Sequence, residues 1–331
     1  MIAWLRVRSQ GGRVILRTED LDHPKDKPGA AAQAVEDLRW LGFDWDEEYV
    51  QSERKPIYRA ALEALWQGRE TKDGRRERLV YPCVCSRRDV EAAQSAPHAG
   101  EQLYYPGTCR GRFDSWGEAQ RFLDASSARL ASATRMASLA SATSSTSTTR
   151  TTSPTRTPCW RFAVPANTVI AFDDAFAGHF EQDVSRTLGD FPLARDEFGA
   201  GYTLACTVDD LLMGVTEVVR GDDLLAATPA QILLARALLA GPPSLIPHPS
   251  SLIPPSYCHV PLVVGKDGMR LAKRHGDTRI ASYREAGKSP EGILGFLAAS
   301  CGWAEQGERI SLADLVPRFD LTTIPHEPFM V

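Results

Sequence analysis

The chain has 331 residues, a length that suits one large or two ordinary domains, and 43% of them are hydrophobic, which is ample for a core. The net charge of -4 neither favours nor excludes nucleic acid, since a local basic stripe would suffice for binding. The sequence has no secretory signal and no apolar run of membrane-spanning length, and its seven cysteines are an odd count that does not fit a disulfide framework. We therefore expect a cytoplasmic protein with no membrane partner.

Helix and strand signals alternate over the first 80 residues. Residues 1–10 read as the last turns of a helix that a pair of glycines ends, and residues 13–17 read as a short strand. Glu19 follows at the carboxyl end of that strand, where it is either a solvated loop acid or the receptor of a ligand ammonium group. Two amphipathic helices come next, one opening at Pro28 and one capped by Ser52, and this order favours α/β architecture.

Three cysteines surround a Pro-Gly turn. Cys83 and Cys85 end a predicted strand and point the same way on an extended chain, while the turn can return Cys109 to them. Three thiolates suit a tetrahedral zinc site with one position left, and buried free cysteines are the alternative. Nearby residues with an oxygen or nitrogen donor for that position are Tyr104, Tyr105 and His98.

Two segments read as insertions. Residues 125–157 are mostly Ala, Ser and Thr with no acidic residue, so they bury too little apolar surface and we expect them to be disordered. A basic tail that touches RNA phosphates is the alternative for this segment. Residues 241–256 contain Ser-Leu-Ile-Pro twice and read as a Pro-rich extended loop.

The segment around Arg220 reads as the end of a buried strand followed by a turn and a helix. Residues 215–219 are rich in valine, Gly221 permits a sharp turn, and Thr228 is predicted as the N-cap of a helix with Pro229 at its first position. Open α/β sheets bind ligands at the carboxyl ends of their strands. Arg220 is therefore either a ligand-binding residue or a surface arginine that ends a strand.

A basic loop follows the next strand. That strand is predicted over residues 259–264, and a turn leads from it to Arg270-Leu271-Ala272-Lys273-Arg274. Two or more cations in such a loop could clamp a polyphosphate, and an ordinary solvated loop is the alternative. The tail beyond the loop reads as helical.

Taken together, eight stretches in this order resemble the class I glutamyl-tRNA synthetase family. They are AWLRVRSQGG, RTEDLD, EDLRWLGFDWDE, YPCVCSRRD, YPGTCR, VDDLLMGVTEVVRGDDLL, RLAKRHGD and YREAGKSPEGILGFLA. The resemblance implies an α/β fold, namely a class I aminoacyl-tRNA synthetase Rossmann-like catalytic domain with a zinc-binding insertion and a short C-terminal helical region. The implied parts are a first catalytic half over 1–80, a zinc-binding insertion over 81–124, a second catalytic half over 158–240, and a Lys-Met-Ser-Lys-Ser-type loop with the helical region over 257–331.

The resemblance also implies roles for particular residues. Glu19 matches the family acid that receives the amino group of glutamate, and Tyr202 and Arg220 match the pair that holds the amino acid. Arg270 and Lys273 match positions of the loop that contacts ATP, with Lys273 as its catalytic second lysine. The residues that match the family zinc ligands are Cys83, Cys85, Tyr105 and Cys109.

The implied reaction is the activation of glutamate with ATP, assisted by Mg²⁺, and its transfer to tRNA by a monomer with structural zinc. Because the family's anticodon-binding domain is not found, we expect the branch that transfers glutamate to the queuosine base of tRNA(Asp). The family's opening signatures, Arg-x-Ala-Pro-Ser-Pro-Thr-Gly and His-Ile-Gly-His, are not found either. We therefore expect the chain as written to activate glutamate slowly. A truncated glutamyl-tRNA synthetase that charges a tRNA 3′ end and a non-catalytic RNA-binding remnant remain as alternatives.

Overall fold

The computed structural model describes residues 1–21, 29–70, 74, 76–92, 104–140, 156–197, 199–241, 254–271 and 279–331. Its helices are α1 (Ile2–Ser9), α2 (Ala30–Trp40), α3 (Lys55–Gln67), α4 (Arg87–Ala92), α5 (Trp116–Ala140), α6 (Val184–Thr187), α7 (Tyr202–Leu212), α8 (Thr228–Leu239), α9 (Ile280–Glu285), α10 (Pro290–Ser300) and α11 (Leu312–Leu315). Its strands are β1 (Ile15–Thr18), β2 (Glu47–Val50), β3 (Arg69–Glu70), β4 (Arg76–Glu77), β5 (Val80–Cys83), β6 (Cys159–Phe162), β7 (Val169–Asp174), β8 (Gly178–Asp183), β9 (Pro192–Ala194), β10 (Glu217–Gly221), β11 (Ser256–Val260), β12 (Val263–Val264) and β13 (Phe329–Met330).

Parallel strand pairs form the α/β part of the fold. The strands β10, β11, β7 and β8 make a four-stranded sheet in that order, parallel from β10 to β7 and bordered by the antiparallel β8. A second parallel pair is formed by β1 and β2. The antiparallel sheet β5-β6-β9 lies beside the cysteines, and β12 pairs in parallel with β13. The parallel arrangement agrees with the expected α/β class.

The described residues bury three apolar clusters. The largest joins α3, α7 and α8 to the strands around them, and α7 contributes Leu204, Val208 and Leu211 to it at helical spacing. Burial of each such leucine contributes about 1.5–3 kcal/mol. A second cluster packs Leu5 of α1 against α10 and α11, and a third surrounds the cysteines after β5. Among the described residues, no helix is both long and apolar enough to cross a bilayer.

Helix α5 corrects the prediction for the first insertion. Residues 125–140 continue this helix, so the expectation that 125–157 is disordered is wrong for its first half. The reason is that alanine, frequent in this stretch, has the highest helix propensity, and the preceding turns already provide the nucleus that a new helix lacks. Residues 141–155 and 242–253 lie outside the described residues, and the second of these segments holds all of the Ser-Leu-Ile-Pro repeat except Pro254.

The carboxyl-terminal end of α7 is tied to α3 and to the turn before it. Asp209 is completely buried, and its two oxygens accept hydrogen bonds from three side chains. The donors are Arg54 Nε at 2.8 Å, the Tyr58 hydroxyl at 2.7 Å and Gln51 Nε2 at 3.3 Å. Since α7 begins at Tyr202, this contact fixes the far end of the helix that delivers a predicted site residue.

Candidate active site

Arg220 lies near the carboxyl end of β10, where the sequence placed it. Its guanidinium is held on two sides: Nε donates to His259 Nε2 at 3.0 Å, and one terminal nitrogen donates to Thr228 Oγ1 and Gln231 Oε1, both at 2.7 Å. The other terminal nitrogen donates to the Tyr202 hydroxyl at 3.3 Å. The structure thus brings Tyr202 and Arg220 together, with the guanidinium edge toward Tyr202 at the more exposed side.

One local prediction beside Arg220 needs correction. Thr228 is not the N-cap of α8 but its first residue, after Ala227, and its hydroxyl contacts Arg220 instead of a free backbone N–H. Gly221 has an ordinary φ of -67°, so left-handed backbone is not why glycine stands there. A Cβ at this position would lie 2.6 Å from Leu262 Cδ2 and 2.7 Å from Asp223 Oδ1, so the ends of these two flexible side chains would have to move.

His259 and Asp174 form a buried pair behind Arg220. His259 Nδ1 is 2.6 Å from Asp174 Oδ2, and both side chains are completely buried. Burial lowers the pKa of His259 below its ordinary value, against the opposing effect of its bond to Asp174. The pair joins β11 to β7 and leaves His259 Nε2 directed at Arg220.

Glu19 lies in the same region, where it contacts one face of α7. Cys206 follows Tyr202 by four residues and Asp210 follows Cys206 by four, so the three lie along one face of the helix. The Cys206 thiol donates to Glu19 Oε1 at 3.3 Å, and burial raises the pKa of that thiol, which keeps it protonated. Arg17 bridges Glu19 at 3.1 Å and Asp210 at 2.6 Å. Glu19 is therefore one helical turn from the contact between Tyr202 and Arg220.

The predicted phosphate loop is described only at its start. Arg270 donates to Asp223 Oδ2 at 2.8 Å with its side chain largely exposed. Asp223 comes three residues after Arg220, so Arg270 lies at the same sheet edge. Lys273 lies outside the described residues.

Cys83, Cys85 and Cys109 converge as predicted. Their sulfur atoms lie within 4.8 Å of one another, and those of Cys85 and Cys109 are 3.6 Å apart. The Tyr105 hydroxyl is 3.2 Å from Cys83 Sγ and 3.5 Å from Cys85 Sγ, and it accepts from the Cys109 backbone N–H at 3.0 Å. Three sulfurs and one oxygen thus surround a common centre.

These separations suit a tetrahedral zinc ion. With Zn–S and Zn–O bonds of about 2.3 and 2.1 Å, the ligand atoms of such a site are roughly 3.5–3.8 Å apart. Cys159 opposes Cys83 across β5 and β6, and Arg161 Nε donates to Cys83 Sγ at 3.3 Å. Hydrogen bonds from Cys109, Cys159 and Cys85 lower the pKa of Cys83, and those with Cys109 and Cys83 raise the pKa of Cys85, so the thiols share their protons as one group.

Comparison with known proteins assigns the family. The model of the tRNA synthetases of class I (E and Q), catalytic domain, matches residues 1–78 and 119–326. The chain belongs to this family. Its predicted resemblance is thereby confirmed, and so is its enzyme class, a ligase of the class I tRNA synthetase type. The segment between the two matched parts contains the cysteine cluster.

The relatives of this class I tRNA synthetase chain match it from end to end. Glutamyl-Q tRNA(Asp) synthetase of Symbiobacterium thermophilum is 42% identical over the whole chain and 89% of its own length, and that of Rhodopirellula baltica is 38% identical over the whole chain and 90% of its own length. The crystal structure of a glutamate tRNA ligase from Elizabethkingia meningosepticum, in complex with its amino acid, has a TM-score of 0.67 at 22% identity. That likeness covers 99% of this chain and shows the fold, while the chain spans 62% of the ligase.

Several residues of the candidate site and of the cysteine cluster were missed in the sequence. Cys206 and Asp210 could have been found from their four-residue spacing after Tyr202, once that segment is taken as a helix. Asp174 and His259 carry no such signal, because their contact depends on which strands become neighbours. Cys159 and Arg161 were missed for the same reason, since they reach the cysteine cluster across β5 and β6.

Proposed function

We propose that this chain activates glutamate with ATP to glutamyl-adenylate and transfers the glutamyl group to the queuosine base in the anticodon of tRNA(Asp). The name of the Symbiobacterium and Rhodopirellula relatives, which match the whole chain and most of their own length, supports the acceptor, and the arrangement around Arg220 supports the amino acid. The arrangement around Arg220 is the observation that carries the proposal. A guanidinium and an acid, Arg220 and Glu19, lie one helical turn apart at one edge of the fold, where they contact Tyr202 and Cys206 on the same face of α7.

Glutamate is suited to this pair of charges. Arg220 offers the edge that faces Tyr202 to a carboxylate, because its other nitrogens are engaged by His259, Thr228 and Gln231. Glu19 would receive the ammonium group, in exchange for part of its contact with Arg17. Tyr202 keeps its proton, since burial raises the pKa of its hydroxyl to about 12, and so can donate to the ligand.

The chemistry consists of two substitutions. A carboxylate oxygen of glutamate attacks the α-phosphorus of ATP, and the bond to the bridging oxygen breaks to release pyrophosphate. A hydroxyl of the acceptor then attacks the glutamyl carbonyl, and AMP leaves. The protein contributes positioning and charge stabilisation in both steps. We assign contact with the ATP phosphates to Arg270 and Lys273, with Mg²⁺ neutralising the pyrophosphate.

The cysteine cluster is proposed to hold structural zinc. Cys83, Cys85, Cys109 and Tyr105 would be the ligands, and a closed set of four protein ligands leaves no position for a substrate. When bound, zinc would cross-link the end of β5 to the turn that carries Cys109. The site would thus stabilise the segment between the two halves of the catalytic domain.

The amino-acid assignment is tested with Arg220→Ala. We expect glutamate-dependent pyrophosphate exchange to fall on the order of a hundredfold, as for the loss of one preorganised charge-stabilising donor. Glutamate binding measured by calorimetry should weaken in parallel. Arg236→Ala, which removes an exposed arginine of α8, is the matched control and should leave both unchanged. Wild-type binding and exchange in Arg220→Ala would refute the assignment.

The acceptor is tested separately with radiolabelled glutamate and three forms of tRNA(Asp). The first carries queuosine, the second carries guanine in its place, and the third carries queuosine but lacks the 3′-terminal adenosine. Transfer to the first and third forms alone is expected. Labelling of the second form, with loss of labelling in the third, would instead identify charging of the 3′ end.

A further inference from the structure

The Nε–H of Arg220 has one acceptor, His259 Nε2 at 3.0 Å. The Thr228 hydroxyl oxygen lies 3.1 Å from the same imidazole nitrogen, and the terminal nitrogens of Arg220 have acceptors of their own. An imidazole nitrogen can accept this bond only when it carries no proton. The orientation of the guanidinium is therefore coupled to the tautomer of His259.

Asp174 determines that tautomer. Its Oδ1 accepts from three backbone N–H groups, those of Phe176 at 3.0 Å, Ala177 at 2.8 Å and His259 at 3.0 Å, which fixes the carboxylate in place. Its Oδ2 lies 2.6 Å from His259 Nδ1, so the imidazole proton is on Nδ1. Nε2 is consequently a bare acceptor, as Arg220 requires.

The pair is isolated from water. Both side chains are completely buried, and burial of the imidazole favours its neutral form. A neutral His259 transmits no charge of its own but connects Asp174, an anion, to Arg220, a cation. The chain of contacts runs from β7 through β11 to β10 and ends at the amino-acid site.

We propose that Asp174 and His259 are positioning residues for Arg220, and that the Nδ1–H tautomer which Asp174 imposes on His259 sets the affinity for glutamate. This rests on the proposed function of Arg220 in binding the amino acid. The alternative is a purely structural histidine that joins β11 to β7. The two roles predict different affinities for glutamate when the proton of His259 moves from Nδ1 to Nε2 and the fold is retained.

Asp174→Asn makes that change. The side-chain oxygen of asparagine can keep the three backbone bonds at the place of Oδ1, while its NH₂ group takes the place of Oδ2. The NH₂ group is a donor, so His259 Nδ1 must become the acceptor and the proton moves to Nε2. Two donors then oppose each other at Nε2 and Arg220 Nε, and the acceptor left for the Nε2 proton is Thr228 Oγ1, 3.1 Å away. A similar loss of the correct tautomer underlies the effect of replacing the aspartate in serine proteases.

The matched control is Asp173→Asn. It makes the same chemical change one residue earlier on β7, where the side chain is 90% exposed and contacts His179. We expect Asp174→Asn to raise KM and the dissociation constant for glutamate about tenfold to a hundredfold, as for loss of a hydrogen bond to a charged group. The KM for ATP should stay within about twofold. A twofold change in KM corresponds to a free energy well below that of one such hydrogen bond. Asp173→Asn should alter neither constant.

Nitrogen NMR of ¹⁵N-histidine-labelled protein shows whether the proton of His259 has moved, which the comparison of affinities requires. The chain has seven histidines, and the signals of His259 are identified by their loss in His259→Gln. We expect the proton on Nδ1 in the wild type and on Nε2 in Asp174→Asn. In protein labelled with ¹⁵N-arginine instead, the protected Nε–H signal of Arg220 should be lost in Asp174→Asn. His259→Gln also serves if Asp174→Asn does not fold, because its oxygen can accept from Arg220. It should keep glutamate affinity closer to the wild type than His259→Leu, which cannot.

The outcomes separate this proposal from the function on which it rests. A proton on Nε2 with unchanged glutamate affinity, or equal affinities for His259→Gln and His259→Leu, would overturn the positioning role. Unchanged affinity in Arg220→Ala would overturn the amino-acid assignment itself, and the link to glutamate with it. A shifted tautomer, a lost Arg220 signal and a selective rise in KM for glutamate would support both.

Discussion

Replacing Asp209 by asparagine is predicted to destabilise the protein strongly. The carboxylate is completely buried and accepts from Arg54, Tyr58 and Gln51, whereas an amide has one acceptor oxygen and one donor group in its place. The NH₂ group must therefore face either Arg54 or the Tyr58 and Gln51 donors. Breaking a buried ion pair by removal of one partner costs about 3–5 kcal/mol.

The size of that loss is large for a folded domain. Total stabilities are about 5–15 kcal/mol, so Asp209→Asn should remove a third or more of a typical value. With a urea dependence of about 3 kcal/mol per molar, the midpoint of unfolding should fall by roughly 1 M or more. Circular dichroism followed against urea concentration measures it.

Glu63→Gln is the matched control for Asp209→Asn. It also removes one carboxylate that pairs with an arginine of the α3 region, but Glu63 and Arg59 are 56% and 50% exposed. An exposed pair of this spacing contributes about 0.3–0.5 kcal/mol, so the midpoint should hardly move. A loss below about 1 kcal/mol for Asp209→Asn would refute the reasoning, since it would mean that the buried carboxylate is replaceable at little cost.

Two further predictions concern the cysteine cluster and acid stability. Cys109→Ser should reduce bound zinc well below one ion per chain, as measured by elemental analysis. Cys301→Ser, at a buried cysteine outside the cluster, should retain the zinc. Equal zinc contents in the two variants would contradict the ligand assignment. The folded-state pKa of His259 is below its ordinary value of 6.5, so below pH 6.5 the unfolded chain binds a proton that the folded chain does not. The free energy of unfolding should therefore fall by up to about 1.4 kcal/mol per pH unit until the pH reaches the folded-state pKa. Urea midpoints at pH 7 and 5.5 should show this slope in the wild type and less of it in His259→Gln, and parallel slopes would contradict the buried neutral histidine.

Local sequence patterns predicted the elements that local forces determine. The end of α1, the strand before Glu19 and the strand that delivers Arg220 all follow from periodicity and turn residues, and the structure has them within one or two residues. The family resemblance then brought Glu19 and Tyr202 to Arg220, since these residues are far apart in the chain. Spacing alone does not supply this contact.

The predictions that failed or were absent depend on longer-range or competing effects. Residues 125–140 were expected to be disordered because Ser and Thr dilute apolar content, but the helical preference of alanine outweighs this when a helix already precedes it. Thr228 has the right type and place for a cap, yet its hydroxyl is used by Arg220. His259 and Asp174 are 85 residues apart, and only the pairing of β11 with β7 brings them into contact.

The length of α5 has a mechanical consequence. At 1.5 Å per residue, its 25 residues extend over about 37 Å, yet its buried anchors, Ala119 and Leu123, lie in the first two turns. Residues 124–129 are exposed, so this part of α5 does not pack against the core. We therefore expect its backbone hydrogen bonds to open without global unfolding. Amide protons should therefore exchange slowly around Leu123 and progressively faster beyond it. Fluorescent probes attached beyond Leu123 would report the motion of this exposed part of α5 relative to its first two turns, which pack beside the cysteine cluster.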